Sequence, residues 1–157
     1  MTVYLMRHAR EVRREDSHDV DAARPLSDKG RRDAKNAARF LAHYGAIDLI
    51  LSSPYERAVE TAHIVRKGLE LEEQPSTDAR IGPGFNAGRL DALLDKHGLK
   101  ESILIIGHEP DLTRILEELA GASNLKLEKG GIVRLDLDPN AWKCKVEWLL
   151  TPELYGT

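Results

Sequence analysis

The chain has 157 residues, of which 41% are hydrophobic and 31% charged, and its formal net charge is -3. This composition is typical of a soluble globular protein, and the length predicts a single domain over residues 1–157. The negative net charge argues against a general attraction to nucleic acid or to an anionic membrane surface.

The cysteine count and the hydropathy indicate the cellular compartment in which the protein is expected. Cys144 is the only cysteine, so no internal disulfide can form and a reducing compartment fits. No stretch approaches the roughly 20 apolar residues of a membrane-spanning helix, and the N-terminus lacks the pattern of a signal peptide. We therefore expect a cytoplasmic protein with no membrane partner.

The chain begins with a predicted strand. "TVYLM" (2–6) is apolar without alternation, as expected of a strand covered on both faces, and the charged stretch 10–24 after it is a predicted loop. Ser27 then caps a predicted helix. The apolar residues of this helix recur at i, i+3, i+4 and i+7 and are Ala34, Ala37, Ala38 and Leu41.

A second strand and helix follow. "DLILSS" (48–53) is a second buried-strand pattern, and "SPYE" begins a helix. Ser53 is the predicted cap, Pro54 the first helical residue and Glu56 the partner that closes a capping box. One face of this helix carries Ala58, Thr61, Ala62, Val65 and Leu69.

The third strand comes after an irregular segment. Glycine and proline interrupt residues 75–89, and a short helix is predicted over 89–96. "SILIIG" (102–107) is the third buried strand, and Pro110 opens a helix that Gly121 ends. The apolar positions of that helix are Leu112, Ile115, Leu116 and Leu119.

The C-terminal segment changes to strict alternation. Apolar and charged residues alternate on both sides of a "DPN" turn (138–140), which predicts an antiparallel hairpin at a sheet edge. The apolar residues are Val133, Leu135 and Leu137 before the turn and Trp142, Cys144, Val146 and Trp148 after it. Together the elements predict an α/β fold, a three-layer α/β/α sandwich with a largely parallel central sheet and a C-terminal antiparallel edge hairpin.

Polar side chains follow all three predicted parallel strands. Arg7 and His8 end the first strand, Arg57 lies in the first turn of the helix after the second, and His108 follows the third. Ligands of open parallel sheets bind beyond the carboxyl ends of the strands. An arginine in a first helical turn opposes the helix dipole, which favours a role for Arg57 in binding an anion. We predict a phosphate site at this edge.

The residue types suggest a chemistry. Two guanidiniums can bind phosphate oxygens in pairs and stabilise a phosphoryl group in transfer, and a neutral histidine can attack phosphorus covalently. Our hypothesis is that either His8 or His108 attacks while the other, protonated, helps to bind the anion. We expect neither a metal nor a cofactor, because no His or Cys pair has metal-ligand spacing. Ser53 is predicted to be a helix cap and not a nucleophile.

Four segments resemble one known family. "LMRHAR" (5–10), "RPLSDKG" (24–30), "LSSPYERAVETA" (51–62) and "IIGHEPDL" (105–112) resemble, in this order, the motifs of the histidine phosphatase superfamily, the phosphoglycerate-mutase-like proteins. In its length, and in the segments "RPLS", "GHEPDL" and "KGGIVRLDL", the chain is similar to the short SixA-type branch of phosphohistidine phosphatases.

The resemblance implies roles for individual residues. It implies that His8 is the phosphorylated nucleophile and that Arg7, Arg57 and His108 form the phosphate pocket. It also places Arg24 on the same pocket, although Arg24 could instead be a loop arginine that pairs with nearby acids. For one ring nitrogen of His8 to attack, the other must keep its proton, usually by donating to a backbone carbonyl.

Two departures from the family pattern matter. Ala9 stands where the superfamily usually has glycine, a difference of one methyl group. The middle loop offers no carboxylate between Asp78 and Asp91, where many members carry a general acid, although Glu109 or Glu15 could substitute. Because a nitrogen leaving group is protonated more easily than an alkoxide, the missing acid favours phosphohistidine over phosphate esters.

The function that we expect is a metal-independent phosphatase that hydrolyses phosphohistidine on proteins through a phospho-His8 intermediate. One alternative is a phosphatase of small phosphate esters or phosphoanhydrides, so the substrate is either a phosphorylated protein or a small phosphorylated molecule. Another is a catalytically silent module that recognises phosphate. A mutase is disfavoured because no long lid is evident. The loop 10–21 is either solvated or forms the rim of the pocket.

Overall fold

The computed structural model describes residues 1–98 and 100–156. The strands are β1 Thr2–Arg7, β2 Leu49–Ser52, β3 Ser76–Thr77, β4 Ser102–Gly107, β5 Ile132–Asp138 and β6 Lys143–Leu150. The α-helices are α1 Asp28–Leu41, α2 Glu56–Gly68, α3 Ala87–Lys96, α4 Asp111–Ala120 and α5 Pro152–Tyr155. Short 3₁₀ helices lie at Arg14–Asp16, Asp21–Ala23 and Ala79–Ile81.

The six strands form one mixed sheet in the order β3-β2-β4-β1-β5-β6. The first four strands in this order are mutually parallel, whereas β5 runs antiparallel to β1 and β6 antiparallel to β5. The largely parallel sheet with an antiparallel C-terminal edge hairpin is therefore confirmed.

Helices cover both faces of the sheet. In β1, Val3 and Leu5 face one apolar cluster, which α3 and α4 complete, while Tyr4 and Met6 face a second cluster completed by α1, α2 and α5. This alternation in a continuously apolar strand is the consequence of burial on both faces. The three-layer arrangement follows from it.

The local signals at helix ends were mostly correct. Ser27 caps α1, its hydroxyl accepting a hydrogen bond from the Gly30 N–H at 3.1 Å, and Gly121 ends α4 with a left-handed φ of 64°. The prediction for Ser53 was wrong, because α2 begins at Glu56 with Tyr55 as its N-cap. The Ser53 hydroxyl instead accepts a bond from the Tyr55 N–H at 3.2 Å, within the turn before the helix.

The hairpin departs from simple alternation at one point. A register shift between Arg134 and Leu135 pairs these neighbours with Trp148 and Val146, so β6 has one extra residue at a bulge. Val146 packs against the first cluster, whereas Trp148 crosses to the second, where its ring lies 6.0 Å from that of Tyr4. Regular alternation alone would have left both residues on one face.

Among the residues described, no helix combines the length and the apolar character needed to cross a membrane.

Gly30 fixes how closely α1 approaches the loop after β1. A Cβ at Gly30 would lie 2.0 Å from the carbonyl oxygen of Arg10, which also accepts hydrogen bonds from the backbone and the hydroxyl of Ser27. We predict that Gly30→Ala destabilises the fold by about 1–3 kcal/mol, since overpacking a close backbone contact costs that much. Urea unfolding monitored by circular dichroism measures the change.

The matched control is Gly88→Ala in α3, where the residue is exposed and the nearest atom to the new Cβ lies at 3.4 Å. This variant should gain roughly 0.5–1 kcal/mol, the usual advantage of alanine over glycine in a helix. Equal gains at Gly30 and Gly88 would contradict the proposed contact.

Candidate active site

The parallel pairing of β1 with β4 places the two predicted site histidines side by side. Arg7 is opposite Gly107 in the register, so His8 and His108 are the next residues on neighbouring strands. Their ring centroids are 5.2 Å apart, and both side chains are buried. The two histidines therefore share one pocket at the carboxyl end of the sheet.

The ring of His8 is held in one orientation. Its Nδ1 lies 2.7 Å from the carbonyl oxygen of Ala9, and because a carbonyl can only accept, Nδ1 carries the proton. Ala9 is itself fixed by a bond from its N–H to the Thr61 hydroxyl at 3.1 Å, and its methyl packs with Leu26 and Ala34. The neutral ring thus keeps an unshared electron pair on Nε2.

Both histidines are electrically neutral near pH 7. Burial lowers the pKa of His8 well below its usual range, and its hydrogen bond to the Ala9 carbonyl offsets this only in part. Burial, reinforced by the charge of Arg57, lowers the pKa of His108 to about 4. The lowered pKa of His108 disfavours the protonated second histidine that we expected, because water is largely excluded and an arginine stands beside the ring.

Arg57 is buried and Arg7 is partly buried, and both keep hydrogen-bonding capacity. Arg57 donates from its NH1 to the backbone oxygen of Asp21 at 2.8 Å, and its NH2 lies 3.4 Å from the Asp21 carboxylate. Arg7 donates to the Leu127 carbonyl at 3.2 Å, while its Nε is buried without a hydrogen-bond partner. Both guanidiniums line the same cavity as the histidines.

His108 is positioned by residues from the end of β2. Its Nε2 lies 2.7 Å from the Ser53 hydroxyl, and the Tyr55 ring meets it edge-on with centroids 5.0 Å apart. The guanidinium carbon of Arg57 lies 4.9 Å from the centre of the same Tyr55 ring. Ser53, which the sequence analysis assigned to a helix cap, therefore contacts a histidine of the site.

The cavity that these residues line has a volume of about 380 Å³. All four residues of the expected phosphate pocket line this cavity, namely Arg7, His8, Arg57 and His108. The cavity is also lined by Glu109 and by Glu11 and Asp21 of the loop 10–21, which the sequence analysis left open as contributors. Tyr55, Asp111 and Lys129, which the sequence did not assign to the pocket, line it as well. Glu11 and Asp21 bring the loop 10–21 to the rim of the pocket.

Arg24 does not line the cavity. It donates from Nε and NH2 to one carboxylate oxygen of Asp21, at 3.1 and 2.6 Å, and from NH1 to the Val12 carbonyl at 2.8 Å. The prediction that Arg24 touches the phosphate pocket is corrected accordingly. This guanidinium, engaged with a neighbouring acid and a loop carbonyl, reaches the site through Asp21 and through Glu11, whose Oε1 lies 3.8 Å from NH1.

The two residues that could replace the missing loop acid as proton donor, Glu15 and Glu109, lie in different places. Glu15 is exposed and pairs with Arg13 at 3.6 Å, outside the cavity, so its proposed role as a substitute is wrong. Glu109 does line the cavity, but its carboxylate accepts hydrogen bonds from the N–H of Thr113 at 3.0 Å and from the Thr113 hydroxyl.

Within residues 1–98 and 100–156, no group of three or more His, Cys, Asp or Glu side chains is arranged to hold a metal ion.

Comparison with known proteins agrees with this architecture. The model of the histidine phosphatase superfamily (branch 1) matches residues 3–81, and the phosphohistidine phosphatase SixA homolog of Haemophilus influenzae is 34% identical over 135 residues. That alignment covers 79% of this chain and 80% of the relative. The chain belongs to the histidine phosphatase superfamily.

Solved structures of superfamily members share the whole fold. The protein histidine phosphatase SixA complexed with tungstate superposes with a TM-score of 0.86 at 24% identity, covering 98% of this chain and 99% of that one. Phosphoglycerate mutase from Bacillus anthracis superposes with a TM-score of 0.77 at 17% identity, over 99% and 95% of the two chains. The phosphoglycerate-mutase-like fold is thereby confirmed, and the family relationship supports a phosphatase acting on phosphorylated substrates.

The state of the histidine rings can be tested directly. Because the pKa values of His8 and His108 are lowered, both rings should stay neutral as the pH falls from 7 to 5.5, whereas an unfolded chain protonates near its ordinary value of about 6.5. Ring ¹⁵N NMR should also show the proton of His8 on Nδ1. An imidazolium signal from His8 at pH 6, or a proton on its Nε2, would contradict the geometry described.

Proposed function

We propose that this protein hydrolyses phosphohistidine on proteins, without a metal, through a covalent intermediate on His8. The observation that carries the proposal is the hydrogen bond from His8 Nδ1 to the Ala9 carbonyl. It leaves Nε2 as the unprotonated nitrogen of a neutral ring in a pocket that two arginines also line. An imidazole in this state is ready to attack phosphorus.

In the proposed first step, Arg7 and Arg57 bind the phosphoryl oxygens and His108 donates a further contact. The electron pair of His8 Nε2 forms a bond to phosphorus while the bond to the leaving nitrogen breaks. The unpartnered Nε of Arg7 supports this role, because it provides a buried donor with no protein acceptor. The fork of a guanidinium also suits the planar arrangement of oxygens in phosphoryl transfer.

The acids of the pocket support a nitrogen leaving group. A phosphohistidine ring protonated at its other nitrogen departs as neutral imidazole, so no proton donor is needed at the bond that breaks. The hydrogen bond from Arg24 lowers the pKa of Asp21, which lines the cavity as a carboxylate and can accept an N–H from that ring. An alkoxide leaving group would instead require an acid, and Glu109 is engaged with Thr113.

The names of two relatives also support phosphohistidine as the substrate. The homolog from Haemophilus influenzae is named a phosphohistidine phosphatase, and the tungstate complex is that of a protein histidine phosphatase. A small phosphate ester remains the alternative substrate, since the cavity volume of about 380 Å³ suits a small molecule and Glu109 lies on its wall. Direct comparison of substrates separates the two.

Trapping the intermediate tests the mechanism. With a ³²P-phosphohistidine peptide and an alkaline quench, which preserves phosphohistidine, we expect label on His8 and turnover that persists in EDTA. His8→Ala should abolish both label and turnover, because the nucleophile is gone. His63→Ala is the matched control, since His63 is exposed on α2 outside the cavity. Label on a serine, or a requirement for added metal, would refute the mechanism.

Substrate preference is tested at Asp21. Asp21→Asn keeps the shape of the side chain but removes its charge, so kcat/KM for the phosphohistidine peptide should fall by roughly ten- to a hundredfold, the value of a charge-assisted hydrogen bond. Turnover of p-nitrophenyl phosphate should change much less, because its leaving group presents no N–H. Asp19→Asn, an exposed change in the same loop, serves as the control. An equal loss for both substrates would argue against recognition of the leaving ring.

A further inference from the structure

A buried carboxylate stands beside the proposed nucleophile. Glu11 is 8% exposed, and its Oε2 lies 3.5 Å from Nδ1 of His8, the nitrogen that carries the proton. This oxygen is buried and has no hydrogen-bond partner. The other oxygen, Oε1, accepts a hydrogen bond from Lys129 Nζ at 2.6 Å. One half of the carboxylate is thus anchored, and the other half faces the histidine.

Glu11 is ionised in this setting. Burial alone would raise its pKa, but the hydrogen bond from Lys129 and the charges near it lower the pKa below the ordinary value for a glutamate. Arg24 adds a more distant positive charge, with NH1 3.8 Å from Oε1. Burying an ionised carboxylate costs desolvation free energy, and one oxygen of Glu11 has no hydrogen bond to offset it. A positive charge that forms nearby during the reaction would account for its position.

The charge of the His8 ring changes during the proposed reaction. The ring is neutral while Nε2 holds its free electron pair and Nδ1 holds the proton. When Nε2 bonds to phosphorus and Nδ1 keeps its proton, the ring becomes an imidazolium with one positive charge. The surroundings oppose this change, because the ring is only 4% exposed and the positive charge of Arg57 is close enough to act on it.

We propose that Glu11 is a positioning residue that holds the proton on Nδ1 of His8 and balances the positive charge of the phosphorylated ring. This inference rests on the proposed covalent intermediate and adds a residue to it. Lys129 keeps the carboxylate in place without reaching the ring, since its Nζ binds the opposite oxygen.

The retained proton matters for the second step. Water attacks phosphorus, the P–Nε2 bond breaks, and its electron pair returns to Nε2. Neutral His8 and dihydrogen phosphate are formed, and the latter releases a proton to solvent at neutral pH. If Nδ1 had lost its proton, the leaving group would be an imidazolate, which is a much poorer one. Glu11 therefore favours both the formation of the phosphoenzyme and its hydrolysis in the protonated form.

Glu11→Gln tests the proposal, because glutamine keeps the shape and can still accept a bond from Lys129. Phosphoenzyme formation, followed by rapid quench with the ³²P-phosphohistidine peptide, should slow on the order of tenfold, as expected for loss of an opposite charge at this distance. The ratio of phosphoenzyme hydrolysis at pH 8 to that at pH 6 should fall by a similar factor relative to the wild type. The other charged or titratable groups that face His8 or Glu11 are unchanged, namely Arg24, Arg57, His108 and Lys129.

Two further variants make the result decisive. Glu11→Asp retains the charge and should restore the wild-type pH ratio, even if its rate is lower, whereas a purely structural role would lower the rate equally at both pH values. Glu15→Gln, an exposed change outside the cavity, should leave rate and ratio unchanged. A wild-type protein that forms no phospho-His8 would sink the proposed function itself. A normal phosphoenzyme with an unaltered ratio in Glu11→Gln would overturn this inference alone.

Discussion

The geometry of the site depends on three parallel strands ending in step. The His8 N–H donates to the Gly107 carbonyl, and the Ser53 N–H donates to the Ile106 carbonyl, both at 3.0 Å. The strands β1, β4 and β2 therefore end at the same edge of the sheet. A shift of one residue in either pairing would exchange the two faces of a strand that is apolar throughout. The side chain of the nucleophile would then point to the other face of the sheet and no longer lie beside His108. The register of β1 against β4 therefore does more than stabilise the fold, because it brings His8 beside His108.

A phosphate pocket need not be as cationic as possible. The histidines are neutral, and the positive charge comes from Arg7, Arg57 and Lys129, while Glu11 and Asp21 supply negative charge close by. A strongly positive cavity would bind inorganic phosphate tightly and slow its release. Under the proposed mechanism, each carboxylate also faces a ring that is positively charged at one stage, Asp21 the leaving ring and Glu11 the phosphorylated one. In this mechanism, the arrangement of charges stabilises the states of phosphoryl transfer more than it stabilises bound inorganic phosphate.

Sequence patterns predicted the parts of the site that lie next to regular elements. Arg7 ends a buried strand, and His8 and His108 directly follow buried strands, so the positions of the strands determine where these side chains lie. Glu11 and Lys129 escaped prediction because they are 118 residues apart, and only the folded path of the loop brings them together. Ser53 was assigned wrongly because its cap pattern is local, whereas its contact with His108 is made across the sheet. Trp148 changed faces through a bulge, which alternation alone does not reveal.

Arg24 connects the two acids that the loop after His8 contributes to the pocket, Glu11 and Asp21. This side chain lies outside the cavity, yet it binds the Asp21 carboxylate, bonds to the Val12 carbonyl and approaches Glu11 to 3.8 Å. Its rigid fork therefore spans the two ends of the segment that carries the acids. A lysine at this position could offer a charge but not the planar set of three donors that gives two bonds to Asp21 and one to the Val12 carbonyl. Because the loop is charged and its middle is exposed, it has little apolar burial to order it. The arginine supplies that order, which explains how a residue remote from phosphate can be needed for the placement of Asp21 at Arg57.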